Sequence, residues 1–320
     1  MDRHALTQAI LALDEGPDAL LEDAELAQAL GLHLKPYIDR LDQDDDTAQD
    51  NQPPRRGKAE SPPLDLDGDE PDLAVLSARE QARWIFMDRF IPLERHEEIL
   101  SVQFEADDFE AYNQIFEEFI SFLTQIPIVE SALAANDVKK LQKLFASCVL
   151  LFRSPSIGDA GQALPTTLDA LRNNFPGYFY KRKKIWYERL EFFHTPIDRP
   201  RWVLCDCDIL NCTLRRPERR LAAYAKNWAF PPELVTQKTV LEDIYDRILC
   251  GEALDEHIFA RNYNSCTATT YTRKKGQAER LVFTVQRDQQ ISLHGKNGMP
   301  HWRASRRLWP GVLPSLTFPS

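Results

Sequence analysis

Residues 175–212 read FPGYFYKRKKIWYERLEFFHTPIDRPRWVLCDCDILNC, and the chain changes character across them. Aromatic residues crowd the first half, and the four consecutive bases Lys181, Arg182, Lys183 and Lys184 interrupt them. The apolar run 202–204 then leads into Asp206-Cys207-Asp208. Upstream of this junction the pattern is acidic and helical; downstream it is basic and mixed. The expected class is α+β, a helix-rich N-terminal half followed by a mixed C-terminal region with a small antiparallel β-sheet.

Working upstream, residues 136–152 read as a helix with an apolar second half, in which Cys148 is a core residue. Residues 107–125 carry Phe109, Tyr112, Phe116, Phe119, Ile120 and Leu123 every three to four positions, with Glu110, Glu117 and Glu118 off that stripe. That period predicts an amphipathic helix, and the stripe is a packing face rather than a cofactor box. Ser77-Ala-Arg-Glu80 has capping-box spacing for a helix ending near Pro92. Residues 43–72 hold five prolines and many acids with almost no large apolar side chains, the composition of a disordered linker. Residues 1–42 show short apolar periodicities and read as an acidic helical arm. The expected organisation is therefore an arm (1–42), a linker (43–72), a helical domain or subdomain (73–153) and a basic mixed α/β region (154–320).

Downstream, residues 154–166 carry Pro, Gly and Ser without periodicity and are expected to form a surface loop. Residues 217–228 and 233–250 read as helices, the second stopped by Gly251, and 255–260 as one further turn. The period then changes to two. Residues 267–272, 280–287 and 290–294 predict a three-stranded antiparallel meander, which the run 202–206 can extend. The acid-free tail from His301 is expected to lie extended across the domain.

Charge divides the chain as sharply as periodicity does. The net charge is −10, with 39 Lys and Arg against 49 Asp and Glu; residues 1–150 hold 13 against 32, and residues 151–320 hold 26 against 17. Such a split favours an anionic partner for the second half or attraction between the halves. No apolar run approaches the roughly 20 residues of a membrane helix, and the first residues lack the pattern of a secretion signal, so a cytoplasmic protein with no membrane partner is expected. Six cysteines thinly spread over 320 residues then read as reduced thiols.

Four constellations can carry chemistry. Asp206 and Asp208, at i and i+2 on a strand, share a face and can hold a divalent metal for phosphate chemistry; two solvated acids at a strand end are the plainer alternative. Cys205, Cys207 and Cys212 with His194 are zinc-ligand types, but a single residue between the first two cysteines is short for a structural site, and small apolar filler explains them equally. His294 and Lys296 lie in a glycine-bounded segment that can supply a base or hold an anion, though it lacks the spacing of a phosphate-binding loop. The fourth is the interleaving of bases and aromatics: Lys181 to Lys184 with Trp186; Arg215, Arg216, Arg219 and Arg220; Arg273, Lys274 and Lys275; and Arg303, Arg306 and Arg307. Cations neutralise phosphates and flat rings stack on bases, so this set points to nucleic acid or another polyanion.

No motif set identifies a family. The leading expectation is a non-enzymatic binding or regulatory protein, without cofactor, whose basic, aromatic-rich C-terminal region contacts an anionic partner, nucleic acid first. The alternatives are a metal-dependent enzyme using Asp206 and Asp208, and an adaptor docking a protein partner through its acidic N-terminal arm.

Overall fold

The structure is a computed structural model. It describes residues 71–320 apart from 160–161, 181–185, 208–209, 212–216, 229, 255–262, 273–277, 286–289, 296–308, 313 and 318–320. The arm, the linker up to residue 70 and the turn expected at 255–260 lie outside the described residues.

Helix α1 (Ala78–Phe86) starts at the expected capping box: Ser77 caps Glu80 while the Glu80 carboxylate accepts from the Ser77 backbone. It ends before Pro92 because Met87 turns into positive φ, 53°, where the helix cannot continue. Helix α2 (Leu93–Leu100) follows Pro92 and stops at Ser101 in the left-handed region. Helix α3 (Ala106–Thr124) matches the expected span closely, burying Tyr112, Phe116, Phe119, Ile120 and Leu123 and leaving Glu110, Glu117 and Glu118 exposed. Each such apolar side chain removed from water contributes about 1.5–3 kcal/mol. Helices α4 (Pro127–Ala134) and α5 (Val138–Leu144) complete the helical part.

The helix expected over 136–152 is broken. After α5 the chain becomes strand β1 (Cys148–Arg153), all six residues of which are buried. A short apolar run bounded by turns has no period of its own, and here the partner decides. Strand β4 (Arg201–Asp206) pairs antiparallel with β1 from Cys148↔Asp206 to Arg153↔Arg201. The boundary drawn at residue 153 thus falls at the end of a strand whose sheet partners all come later in the chain. Instead of the loop expected at 154–166, strands β2 (Ser156–Asp159) and β3 (Gln162–Pro165) form a hairpin. Its Gly158 lies so close to Ser101 that an added Cβ would come within 1.7 Å of the Ser101 carbonyl oxygen. Two short helices follow, α6 (Leu168–Asn174) and α7 (Glu191–His194).

Strand β5 (Leu210–Asn211) and helix α8 (Pro217–Asn227) come next, then strand β6 (Val235–Gln237). Helix α9 (Val240–Ala253) starts later than expected, at a second capping box formed by Thr239 and Glu242, and runs past Gly251. Gly251 does not stop the helix; it admits the Tyr178 ring, whose oxygen would lie 2.3 Å from a Cβ there. The last strands are β7 (Tyr263–Thr272), β8 (Ala278–Val285), β9 (Ile291–Gly295), β10 (Trp309–Val312) and β11 (Pro314–Thr317).

These strands build two main sheets. The expected meander is present as β7-β8-β9, extended by β10 and β5 to the order β5-β10-β7-β8-β9. The run 202–206 does not join it. As β4 it lies in a separate antiparallel sheet ordered β1-β4-β11-β6, so part of the tail is a central strand rather than an extended cover. Trp202, at 2% exposure, anchors this four-stranded sheet to the helices. Its indole N–H donates to the Tyr112 carbonyl at 3.0 Å, and the rings of Phe90, Phe116 and Phe152 surround it. Helix α9 packs on β1, β7 and β8 and so touches both sheets. The architecture is α+β, helix-rich first and mixed after.

Candidate functional site

Among the described residues two regions concentrate polar chemistry: the inside of the four-stranded sheet and one end of the five-stranded sheet.

The first is built by α9 lying across β1 and β4. Arg153, fully buried, forks onto Asp246, with Nε to Oδ1 at 2.9 Å and Nη2 to Oδ2 at 2.7 Å, while its Nη1 donates to Glu242 at 2.7 Å. Lys238 Nζ reaches Asp246 at 2.9 Å and Cys205 Sγ at 3.0 Å, and the Cys205 thiol donates to Asp246 at 2.9 Å. Arg201 adds a third cation on Glu242, and Ser265 donates to the buried Asp243. Burial by itself would raise the Asp246 pKa, but Arg153 and Lys238 hold it well below the usual carboxylate range. Burial would likewise lower that of Lys238, which Asp246 pushes well above the usual value. The Cys205 thiol is pushed up by burial and by Asp246, so it is protonated and, having no exposed surface, inert as a nucleophile. The cluster holds its charges in pairs, with Arg153, Lys238 and Asp246 buried.

Of the metal and acid candidates, Asp206 and Cys207 follow Cys205 directly along the chain. Asp206 is 4% exposed, on the opposite strand face from Cys205, and its Oδ2 accepts from the Tyr224 hydroxyl at 2.8 Å. Cys207 is buried, which pushes its thiol up to about 12. His194 is exposed at the end of α7, its Nε2 2.8 Å from the Glu188 carbonyl oxygen. Asp208 and Cys212 lie outside the described residues. Among the described residues no group of three His, Cys, Asp or Glu side chains is arranged to hold a metal.

The second region is the end of the five-stranded sheet where β7 turns into β8. Strand β9 forms one edge of that sheet, and the chain on either side of Lys181–Lys184 is tied to it. The Tyr180 amide donates to the Ile291 carbonyl at 3.1 Å, and the Trp186 indole N–H donates to the Leu293 carbonyl at 3.2 Å. Both side chains are 42% exposed, two of only four large apolar or aromatic side chains in that state among the described residues. The Trp186 ring packs on Tyr271 of β7 at 5.2 Å and edge-on to Tyr187 at 5.6 Å. Tyr271 pairs with Glu279, one rung from the last pair of the hairpin, Thr272↔Ala278. The neighbouring rung holds Arg280, whose Nη2 donates at 2.9 Å to Glu218 in the first turn of α8. That contact holds the Glu218 carboxyl below its ordinary value. The next residues of α8, Arg219 and Arg220, are exposed. Strand β9 ends here too, with Gly295 opposite Leu281.

The described neighbours of two basic clusters (215–220 and 273–275) therefore meet at one end of one hairpin, and the 181–184 run reaches it through Trp186 alone, since Tyr180 bonds Ile291, opposite Val285 at the far end of β8. Those of the fourth do not. Trp309, just after Arg303, Arg306 and Arg307, pairs with Tyr263, which lies roughly 26 Å along β7 from Tyr271 at about 3.3 Å per residue. Of the basic residues themselves, Arg219 and Arg220 are described; Lys181, Arg182, Lys183, Lys184, Arg215, Arg216, Arg273, Lys274, Lys275, Arg303, Arg306 and Arg307 lie outside the described residues, as does Lys296. His294 is described only as a rung of β9 opposite Val282.

Apart from Cys205, sequence reasoning missed the buried cluster, since residues 242, 243, 246 and 247 look like the solvated side of a helix. A signal was there. Apolar residues at 240, 241, 244, 245 and 248–250 cover more of the helix circumference than a surface helix needs, and Thr239-x-x-Glu242 marks the start. Comparison with protein-family models, with curated proteins and with solved structures finds no match for this chain.

Proposed function

We propose that this chain is a binding protein whose C-terminal region engages a polyanion, nucleic acid first, at the end of the five-stranded sheet where β7 turns into β8. One observation carries the reading: pairing of β7 and β8, with the Arg280–Glu218 and Trp186–Tyr271 contacts, draws the surroundings of the 215–220 and 273–275 clusters to that end and brings one flank of the 181–184 run beside them. Clustered cations release counterions from a phosphate chain, an effect that grows with the number of phosphates contacted together, so neighbouring clusters act as one footprint. The exposed rings of Tyr180 and Trp186 border the longest basic run and fit the same ligand. The enclosed Asp206 carboxylate, already engaged by Tyr224, offers no comparable support for metal-dependent phosphate chemistry.

The test is a mobility-shift titration of the full chain over a range of salt, beside a variant with Lys181, Arg182, Lys183 and Lys184 all changed to Ala. The expected result is a log affinity that falls linearly with log salt, with a slope shallower in the variant by roughly 0.7–0.9 for each phosphate contact removed. Absence of any salt-dependent shift, together with no retention on heparin, overturns the reading.

A further inference from the structure

Resting on that reading, we infer that the ligand is a single-stranded nucleic acid whose bases stack on Tyr180 and Trp186. Trp186 is fixed by its hydrogen bond to Leu293 and by packing against Tyr187 and Tyr271, yet 42% of it faces solvent. A ring already ordered loses little rotamer freedom when a base settles on it, which favours binding. Tyr180 is anchored through its backbone amide to Ile291, two residues before Leu293 on the same strand. A duplex keeps its base faces inside the stack and offers such rings only its ends, whereas an unpaired strand presents every base.

Aromatic residues beside bases also suit an anionic lipid surface, but insertion there relies on a continuous apolar face. Here the exposed large side chains of the described residues at this edge are Tyr180 and Trp186, both with a polar atom, and the Trp186 indole N–H is already committed to the strand.

The experiment measures binding of the full chain to four probes with matched phosphate number where that applies: a single-stranded oligonucleotide, the same strand made abasic, the corresponding duplex, and heparin. Vesicles of phosphatidylserine in phosphatidylcholine form a fifth arm. The expected result is that the intact strand binds about 5- to 150-fold tighter than the abasic one, the range given by one stacked base. Trp186→Ala should shrink that gap and Trp186→Phe should largely keep it, with unchanged melting temperature verifying the fold of each. Equal affinity for the intact and abasic strands overturns stacking while leaving polyanion binding in place. Preference for the duplex does the same. Failure to bind any strand or heparin removes the polyanion reading itself, and binding to vesicles alone replaces it with a membrane surface.

Discussion

The two sheets of this protein treat charge in opposite ways. In the four-stranded sheet, Arg153, Lys238, Glu242 and Asp246 are drawn inward and bonded to one another, with Arg201 at the margin. Beside the five-stranded sheet the described groups of interest, Tyr180 and Trp186 next to β9 and Arg219 and Arg220 on α8, are exposed. The difference teaches that local charge density is a poor guide to where charge acts. Among the described residues the most heavily bonded cations come from none of the four basic clusters: Arg153 ends a buried strand and Lys238 precedes a helix cap. An inward charge must be paired to be tolerated, so it shapes the fold; an outward one remains available to a ligand.

The largest effect that would break this contrast is expected at Asp246. Asp246→Ala leaves Arg153 and Lys238 buried without their shared counter-charge, and loss of one partner of such a cluster costs about 3–5 kcal/mol. Chemical denaturation should show that loss, and a change of below about 1 kcal/mol would mean that the cluster is hydrated or rearranges.

A second effect sharpens the same side of the comparison. His96 is fully buried, with Nδ1 donating to the Pro92 carbonyl and Nε2 accepting from the Phe152 amide of β1. Burial lowers its pKa from 6.5 to about 4, against the opposing effect of the Pro92 carbonyl. Between these values the unfolded chain binds a proton that the folded one does not, so stability rises with pH across this window and falls on acidification from about pH 6.5 toward 4. The full swing is about 3 kcal/mol at about 1.36 per pKa unit. Denaturation midpoints at pH 7 and pH 5 should differ for the wild-type chain, and His96→Gln should flatten the difference. An unchanged slope in that variant would assign the acid sensitivity to the carboxylates.

The smallest effect lies in the other sheet. The Arg280–Glu218 pair is partly exposed, the Glu218 side chain at 63%, and such pairs contribute about 0–1 kcal/mol. Glu218→Gln should therefore leave the melting temperature nearly unchanged while modestly tightening polyanion binding, since it removes an acid from the proposed footprint. A large loss of stability would show this end of the sheet to be structural in the same sense as the buried cluster.

Periodicity and capping chemistry were legible from the sequence wherever one element carried its own signal. The stripe of α3, the Ser77–Glu80 box, the helix opened by Pro217 and the alternation of β7, β8 and β9 are all local, and each is present. The candidate surface was legible as composition, aromatics beside four bases. Its convergence was not, because it depends on Trp186 meeting Tyr271 and on Glu218 meeting Arg280, pairs separated by 85 and 62 positions in the chain.

By itself, then, the sequence determined the α+β class, the amphipathic helices, the meander and the unequal charge of the two halves, since each follows from side chains within a few residues of one another. Only the tertiary structure decided that residues 148–153 are a strand, because an apolar run buried on both faces takes the conformation of whatever pairs with it. It alone placed β4 and β11 at the centre of a second sheet and turned the acids of α9 inward. A charge at helical spacing has the same local pattern whether it meets water or an arginine. The partner across the fold sets which, through the desolvation that only close packing imposes.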